Sequence, residues 1–446
     1  VSRELKDSGV EWIGKIPANW SIEKIKYTTY VKGRIGWQGL KSDEFTDEGP
    51  YLVTGKDFIG KNVNWESCHH ISSERYHEAQ PIQLKENDLL ITKDGTIGKT
   101  AIVRDMPDKA ILNSGIFVTR SAKYEVDFMY WMLNSQVFDK YIKFFETGST
   151  IKHLYQETFE NFSYPLPTRI EQKRINLFLN RKIKLVDEVI KNKGNMMTLL
   201  EKQRQSIITE AVTKGLNPNV KMKDSGVEWI GEIPEHWEVT KIKYTTYVKG
   251  RIGWQGLKSD EFIDKGPFLV TGTDFLQGYV NWDTCYHISE KRYNEAPPIQ
   301  LQENDLLITK DGTIGKLAIV KEMPYKAILN SGVFVTRPFL NKYLSKYMYW
   351  LLSSAIFDKY IKFMETGSTI KHLYQETFVN FSYPIPSTVE QTEILNYLDI
   401  KIGEIDSIKS NLVKQIEKLK EYRQALIYEA VTGKIDVRDM ELDEVR

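Results

Sequence analysis

The chain has 446 residues, of which 41% are hydrophobic and 27% charged, with a formal charge of +1. That balance belongs to a globular protein with room for two or more cores; it excludes fibrous and disordered classes and speaks against a polycation that coats nucleic acid. No apolar run is long enough to span a bilayer and VSRELKDSGVEW has no signal-peptide apolar segment, so a cytoplasmic protein with no membrane partner is expected.

Two cysteines, Cys68 and Cys285, cannot build a disulfide framework or a cysteine-rich zinc site, and free, buried or half-buried thiols are expected. They fall at equivalent points of a repeat. DSGVEWIG at Asp7 returns at Asp224, KIKYTTYVKGRIGWQGLKSDEF at Lys24 returns unchanged at Lys241, and ENDLLITKDGTIGK at Glu86 returns at Glu303. The offset is 217 residues, rising to 219 for GSTIKHLYQETF at Gly148 and Gly367 after a two-residue insertion. This is a tandem duplication of one large unit, not a solenoid of small repeats.

Along each unit, short runs such as PYLVTG, DLLITKDG and GIFVTR alternate with turn residues and predict strands. Helical spacing of large apolar residues predicts helix over 126–145 and 344–364. YPLP at 164–167 and YPIP at 383–386 are expected to stop regular structure. Long helices then follow over 171–212 and 390–431, with a coiled-coil seam of Ile175, Leu179, Ile183, Val186 and Ile190, repeated by Ile394, Leu398, Ile402, Ile405 and Leu412. Each stripe needs a partner, and the other helix is the simplest one. Spacing alone leaves their orientation open; a pseudo-twofold relation between the units makes the pair antiparallel, with one globular domain at each end. Forty helical residues make about 60 Å, enough to fix half-sites about 34 Å apart on DNA.

The expected fold class is therefore α+β: two β-rich domains separated by an antiparallel pair of long helices. The expected divisions are residues 1–167, the first β-rich domain; 168–216, the first spacer helix; 217–386, the second domain; 387–434, the second helix; and 435–446, an acidic tail.

Chemistry is sought in the polar motifs. GTIGK at 95–99 lacks the leading glycine of a phosphate loop, and Leu317 replaces the magnesium-binding hydroxyl in the second copy, so a tight glycine turn is the better reading. A methyltransferase's glycine-rich cofactor unit and its Asn/Asp-Pro-Pro-aromatic loop are both missing. DLLITK at 88–93 has one carboxylate and one lysine, short of a nuclease's metal cluster. The pair His69-His70 becomes Tyr286-His287, so no histidine is assigned to a metal. What remains suits a nucleic-acid surface. GRIGWQG combines a forked cation, an aromatic ring and an amide among glycines; GSTIKHL offers hydroxyls, a lysine and a histidine to phosphates or base edges. For each motif the bland alternative is a capped loop or solvated face.

Together, DSGVEWIGEIPEHWEVTKIKY, ENDLLITKDGTIGK, GSTIKHL, STVEQTEI and IYEAVTGKIDVR resemble the specificity subunit of type I restriction–modification systems, over essentially the whole chain and in order. The resemblance implies two target-recognition domains, each reading one half of a split duplex site, without catalysis. It implies double-stranded DNA, two methyltransferase (M) subunits and restriction/translocase (R) subunits as partners. It places S-adenosylmethionine and ATP on those subunits and no cofactor or metal here. The DNA surface is expected on Arg34, Trp37, Gln38, Lys56, Lys93, Asp94, Thr96, Lys99, Ser149, Thr150, Lys152 and His153. In the second copy it falls on Arg251, Trp254, Gln255, Lys310, Asp311, Thr313, Lys316, Ser368, Thr369, Lys371 and His372.

Such subunits commonly carry unlike domains; here they are near copies, so the two half-sites are expected to be the same or nearly so, in inverted orientation. Divergence in reading is expected at Lys56 against Thr273 and at IGKN (59–62) against LQGY (276–279). The alternatives are a subunit of a modification-only complex and a coiled-coil scaffold whose globular ends bind protein. Salt-sensitive binding to one bipartite duplex separates reader from scaffold.

Overall fold

The computed structural model describes residues 3–33, 40, 42–146, 153–251, 257, 259–364 and 372–439. The chain divides into two compact units, residues 1–193 with 413–446, and residues 194–412.

In the first unit six strands form one sheet, in the order Tyr30–Gly33, Ile116–Arg120, Leu89–Thr92, Thr100–Ile102, Asn62–Val63 and Phe58–Ile59. All neighbours are antiparallel except Thr100–Ile102 with Asn62–Val63. A second sheet holds Ala110–Leu112, Phe45–Val53 and His69–Ile71. The run LLIT is buried at all four positions. Strand alternation sends Leu90 to a core shared with the second sheet and Leu89 and Ile91 to a core shared with helices. Both faces are covered, which is why the run is continuously apolar.

The stretch over 126–145 is two helices, Val126–Leu133 and Gln136–Glu146. Ser135 breaks it: its hydroxyl accepts the Val137 N–H at 3.2 Å, while the Asn134 amide donates to the Tyr130 carbonyl. YPLP does not stop regular structure either. Ser163–Leu166 pairs antiparallel with Ser21–Lys24 in a two-stranded sheet, where Pro165 faces Ile22; an edge position tolerates a residue without an N–H.

The long helices are Arg169–Lys214 and Thr388–Val431. Inside the first unit, Ile175, Leu179 and Ile183 share a core with Leu426, Ile427 and Ala430. Arg423 Nε donates to Asp187 at 3.0 Å and Lys193 Nζ to Gln415 at 2.6 Å, so the two segments run antiparallel.

The second unit repeats this plan within itself, with strands Thr246–Gly250, Val333–Pro338, Leu306–Thr309, Leu317–Ile319, Tyr279–Val280 and Phe275–Leu276 in sheet order. Its helices Ser345–Leu352 and Ala355–Met364 also part at a buried serine, Ser354. Leu200, Ile405 and Leu412 form a small seam there, flanked by pairing of Glu201 with Lys409 and of Arg204 with Asp406, which again makes the segments antiparallel. The fold is α+β, with two β-rich domains and antiparallel long helices.

Candidate nucleic-acid interface

In each unit one glycine turn gathers the polar residues. Between Leu89–Thr92 and Thr100–Ile102 the chain turns through 93–99, with Gly95 at φ +70° and Gly98 at φ +81°, where a side chain would be strained. Thr92 braces the turn. Its hydroxyl accepts the Lys99 N–H at 2.9 Å and donates to the Thr96 carbonyl, while the Gly98 N–H donates to the Thr92 carbonyl at 2.9 Å. Thr96 is left exposed at the tip.

Three segments lean on this turn. The Lys93 N–H donates to the Gly115 carbonyl at 2.8 Å, bringing in LNSG; the Leu154 N–H donates to the Lys93 carbonyl at 2.7 Å, bringing in the end of GSTIKHL. Asp94 and His153 form a β-bridge, and the His153 Nδ1 meets the Asp94 carboxylate. Lys99 Nζ donates to the Gly55 carbonyl at 3.0 Å and lies 5.8 Å from the Phe58 ring centre, which ties in VTGKDF. Lys56 is exposed on that loop, while Asp57 is buried and holds it, accepting from the Thr54 N–H and hydroxyl and from Ser67.

The second unit reproduces the arrangement. Lys316 Nζ donates to the Gly272 carbonyl at 3.0 Å, the Leu373 N–H to the Lys310 carbonyl at 2.8 Å, and His372 meets Asp311. Thr313 is exposed at the same tip. Thus Lys56, Lys93, Asp94, Thr96, Lys99 and His153 come together in one unit, and Lys310, Asp311, Thr313, Lys316 and His372 in the other. Lysines, an exposed hydroxyl and backbone around a rigid turn can position phosphates, while Asp–His and amide groups can address base edges.

Arg251 lies beside the second copy of LNSG, at 329–332. It is buried, its Nε donating to the Leu329 carbonyl at 3.0 Å. Arg34, Trp37, Gln38, Ser149, Thr150, Lys152, Trp254, Gln255, Ser368, Thr369 and Lys371 lie outside the described residues.

Sequence reasoning passed over Tyr155 and Tyr374, which are 66% and 65% exposed. Each ring stands edge-on to its neighbouring histidine at 5.0 Å. The signal was present in the unchanged HLY of both copies.

Cys68 and Cys285 are buried free thiols, and burial, aided by Asp57, pushes the Cys68 thiol up to about 12. Among the described residues no cluster of three or more His, Cys, Asp or Glu could hold a metal, and no helix is long and apolar enough to cross a membrane.

Known proteins share this plan. The specificity subunit of the type I restriction enzyme MjaVIII from Methanocaldococcus jannaschii is 25% identical over 96% of this chain and 95% of its own. That of EcoBI from Escherichia coli is 23% identical over 98% and 90%. Among solved structures, a chain from a type I R-M system studied for complex assembly and conformational transition superposes with a TM-score of 0.72 at 16% identity, over 94% of this chain and 99% of that one. The HsdS subunit from Thermoanaerobacter tengcongensis gives 0.51 at 16% identity, over 94% and 98%. The Type I restriction modification DNA specificity domain matches twice, at residues 38–196 and 234–418. With that domain covering most of the sequence, once in each copy of the repeat, the chain belongs to the type I restriction–modification DNA specificity family.

Proposed function

We propose that this chain reads a bipartite, near-palindromic duplex, each recognition domain taking one half-site through the surface around its glycine turn. The recognition domains are residues 1–167 and 217–386, with 168–216 and 387–434 as spacer helices and 435–446 as an acidic tail. The observation that carries the reading is the recurrence of one turn, with the same lysines and the same bracing, in both units. Two surfaces so alike recognise like sequences, so the two half-sites are matching copies.

The long helices dock two methyltransferase subunits, and restriction/translocase subunits join the assembly. Support comes from apolar side chains that the helices leave exposed, among them Leu185, Val189, Leu199 and Ile400. Binding of S-adenosylmethionine and ATP belongs to those partners, and the assembly acts in the cytoplasm.

Mapping methylated bases in a genome that carries the system tests the reading. The expected motif has two matching, inverted half-sites around an unspecified spacer. Two unrelated half-sites would overturn it.

A further inference from the structure

At the loop that leans on the glycine turn, the two reading surfaces differ in an exposed charge. Residues 54–57 and 271–274 build the same small loop: a threonine caps it, and Asp57 or Asp274 is buried beneath, accepting from the Thr54 or Thr271 N–H at 2.7 Å. Residue 56 and residue 273 are presented alike, each backbone N–H donating to the capping threonine hydroxyl at 3.3 Å. Their side chains part company. Lys56 is exposed and its ammonium has no partner among the described residues, beside a Lys99 already committed to the Gly55 carbonyl. Thr273 is neutral, and its hydroxyl closes back onto Thr271 at 2.6 Å.

The other divergent stretch adds no such charge. Lys61 ion-pairs with Asp127 at 2.5 Å, donates to Asn180 on the long helix at 3.0 Å and lies over Tyr130 and Trp131. Its ammonium is neutralised and spent on holding the 58–63 hairpin to the helices. In the second unit Gly278 takes that position, with the Tyr349 hydroxyl where a Cβ would be.

We infer that Lys56 gives the first unit one phosphate contact that the second lacks, so that two like half-sites are held with unequal strength. The inference rests on the proposed DNA reading and adds a rank order to it. An ammonium at an exposed loop beside the turn neutralises one phosphate and releases its counterions; a hydroxyl bonded within its own loop does neither.

The test is binding of the full chain to a labelled mixed-sequence duplex across a salt series, for the parent, Lys56→Thr, Thr273→Lys and the double exchange. Threonine already occupies this loop position in one unit and lysine in the other, so each variant keeps a loop known to form. Each phosphate contact contributes about 0.9 to the slope of log affinity against log salt. Lys56→Thr is expected to flatten the slope by about that amount, losing about 3–4-fold less affinity between about 50 and 200 mM salt. Thr273→Lys is expected to steepen it equally, and the double exchange to restore the parent slope. If the parent binds with a steep slope and either single substitution leaves it unmoved, the inference is wrong and the DNA reading stands. If the parent shows no salt-sensitive binding, the reading itself fails and takes this inference with it.

Discussion

Asp88 begins DLLITK, the motif whose carboxylate and lysine invite comparison with a nuclease, and its surroundings show why it is structural. Its carboxylate accepts from Arg120 Nε at 2.6 Å, Arg120 Nη2 at 2.7 Å and the Lys85 N–H at 2.8 Å. Burial pushes the carboxyl up, and the Arg120 pairing opposes that push. Asp305 and Arg337 repeat the bolt. Removing the acid strands a guanidinium that is only a quarter exposed, so Asp88→Ala should cost about 3 kcal/mol, the low end for a broken buried pair. Urea unfolding measures this; a loss under about 1 kcal/mol, the worth of a surface pair, would show the bolt to be dispensable. Glu390 at the second long helix is a different case. Partial burial works against its charge, yet hydrogen bonds from His236, Trp237 and Ser387 hold it down at about 2. An unfolded glutamate titrates near 4.3, so the folded state keeps the proton off longer. The resulting stability is complete above about pH 5 and is lost as the pH falls from about 4 towards 2. Glu390→Gln should lower stability at neutral pH and flatten its acid dependence over that window, as denaturation at stepped pH would read out.

At the scale of elements, both helical glycines stand in open space: nothing lies within 4 Å of a Cβ added at Gly194 or Gly403. Neither has a positive φ, so alanine fits without strain and removes backbone freedom from the unfolded chain. Gly194→Ala and Gly403→Ala should each stabilise by about 0.5–1 kcal/mol, seen as a higher urea midpoint with unchanged slope; a loss would mean these positions serve a bend. The helices themselves are legible in the sequence because Ile175, Leu179 and Ile183 repeat at helical spacing and are all buried. The break at Ser135 is not, because apolar spacing runs through it from Leu133 to Val137 and only side-chain capping marks it. The glycine turn is legible because GTIGK must bend wherever it sits. The fate of Arg251 is not, since a carbonyl from Leu329, remote in sequence, takes up its Nε. Tyr155 is a related case: it and Leu154 are adjacent apolar residues, and it is the fold that buries Leu154 and leaves Tyr155 exposed.

At the scale of the molecule, duplication leaves the two units with different chain economies. The second unit is contiguous, residues 194–412, while the first needs residues 413–446 from the far end of the sequence. The same closing contact is made in both. Gly215 packs on Trp237 and Pro234, about twenty residues ahead in the chain; Gly433 packs on Trp20 and Pro17, with a Cβ position only 2.4 Å from Pro17. Around Gly433 the first unit's core takes in Leu426, Ile427, Val431 and Val437, and Tyr428 donates to the Ile13 carbonyl at 3.0 Å. Burying four such side chains is worth about 1.5–3 kcal/mol each, comparable with the whole 5–15 kcal/mol margin of a typical domain. A fragment of residues 194–412 should therefore unfold cooperatively by itself, with near-native near-ultraviolet dichroism. A fragment of residues 1–193 should lack a fixed core and regain it when a peptide of residues 413–446 is added. Cooperative unfolding of 1–193 without that peptide would show that the first unit's core closes before the end of the chain arrives.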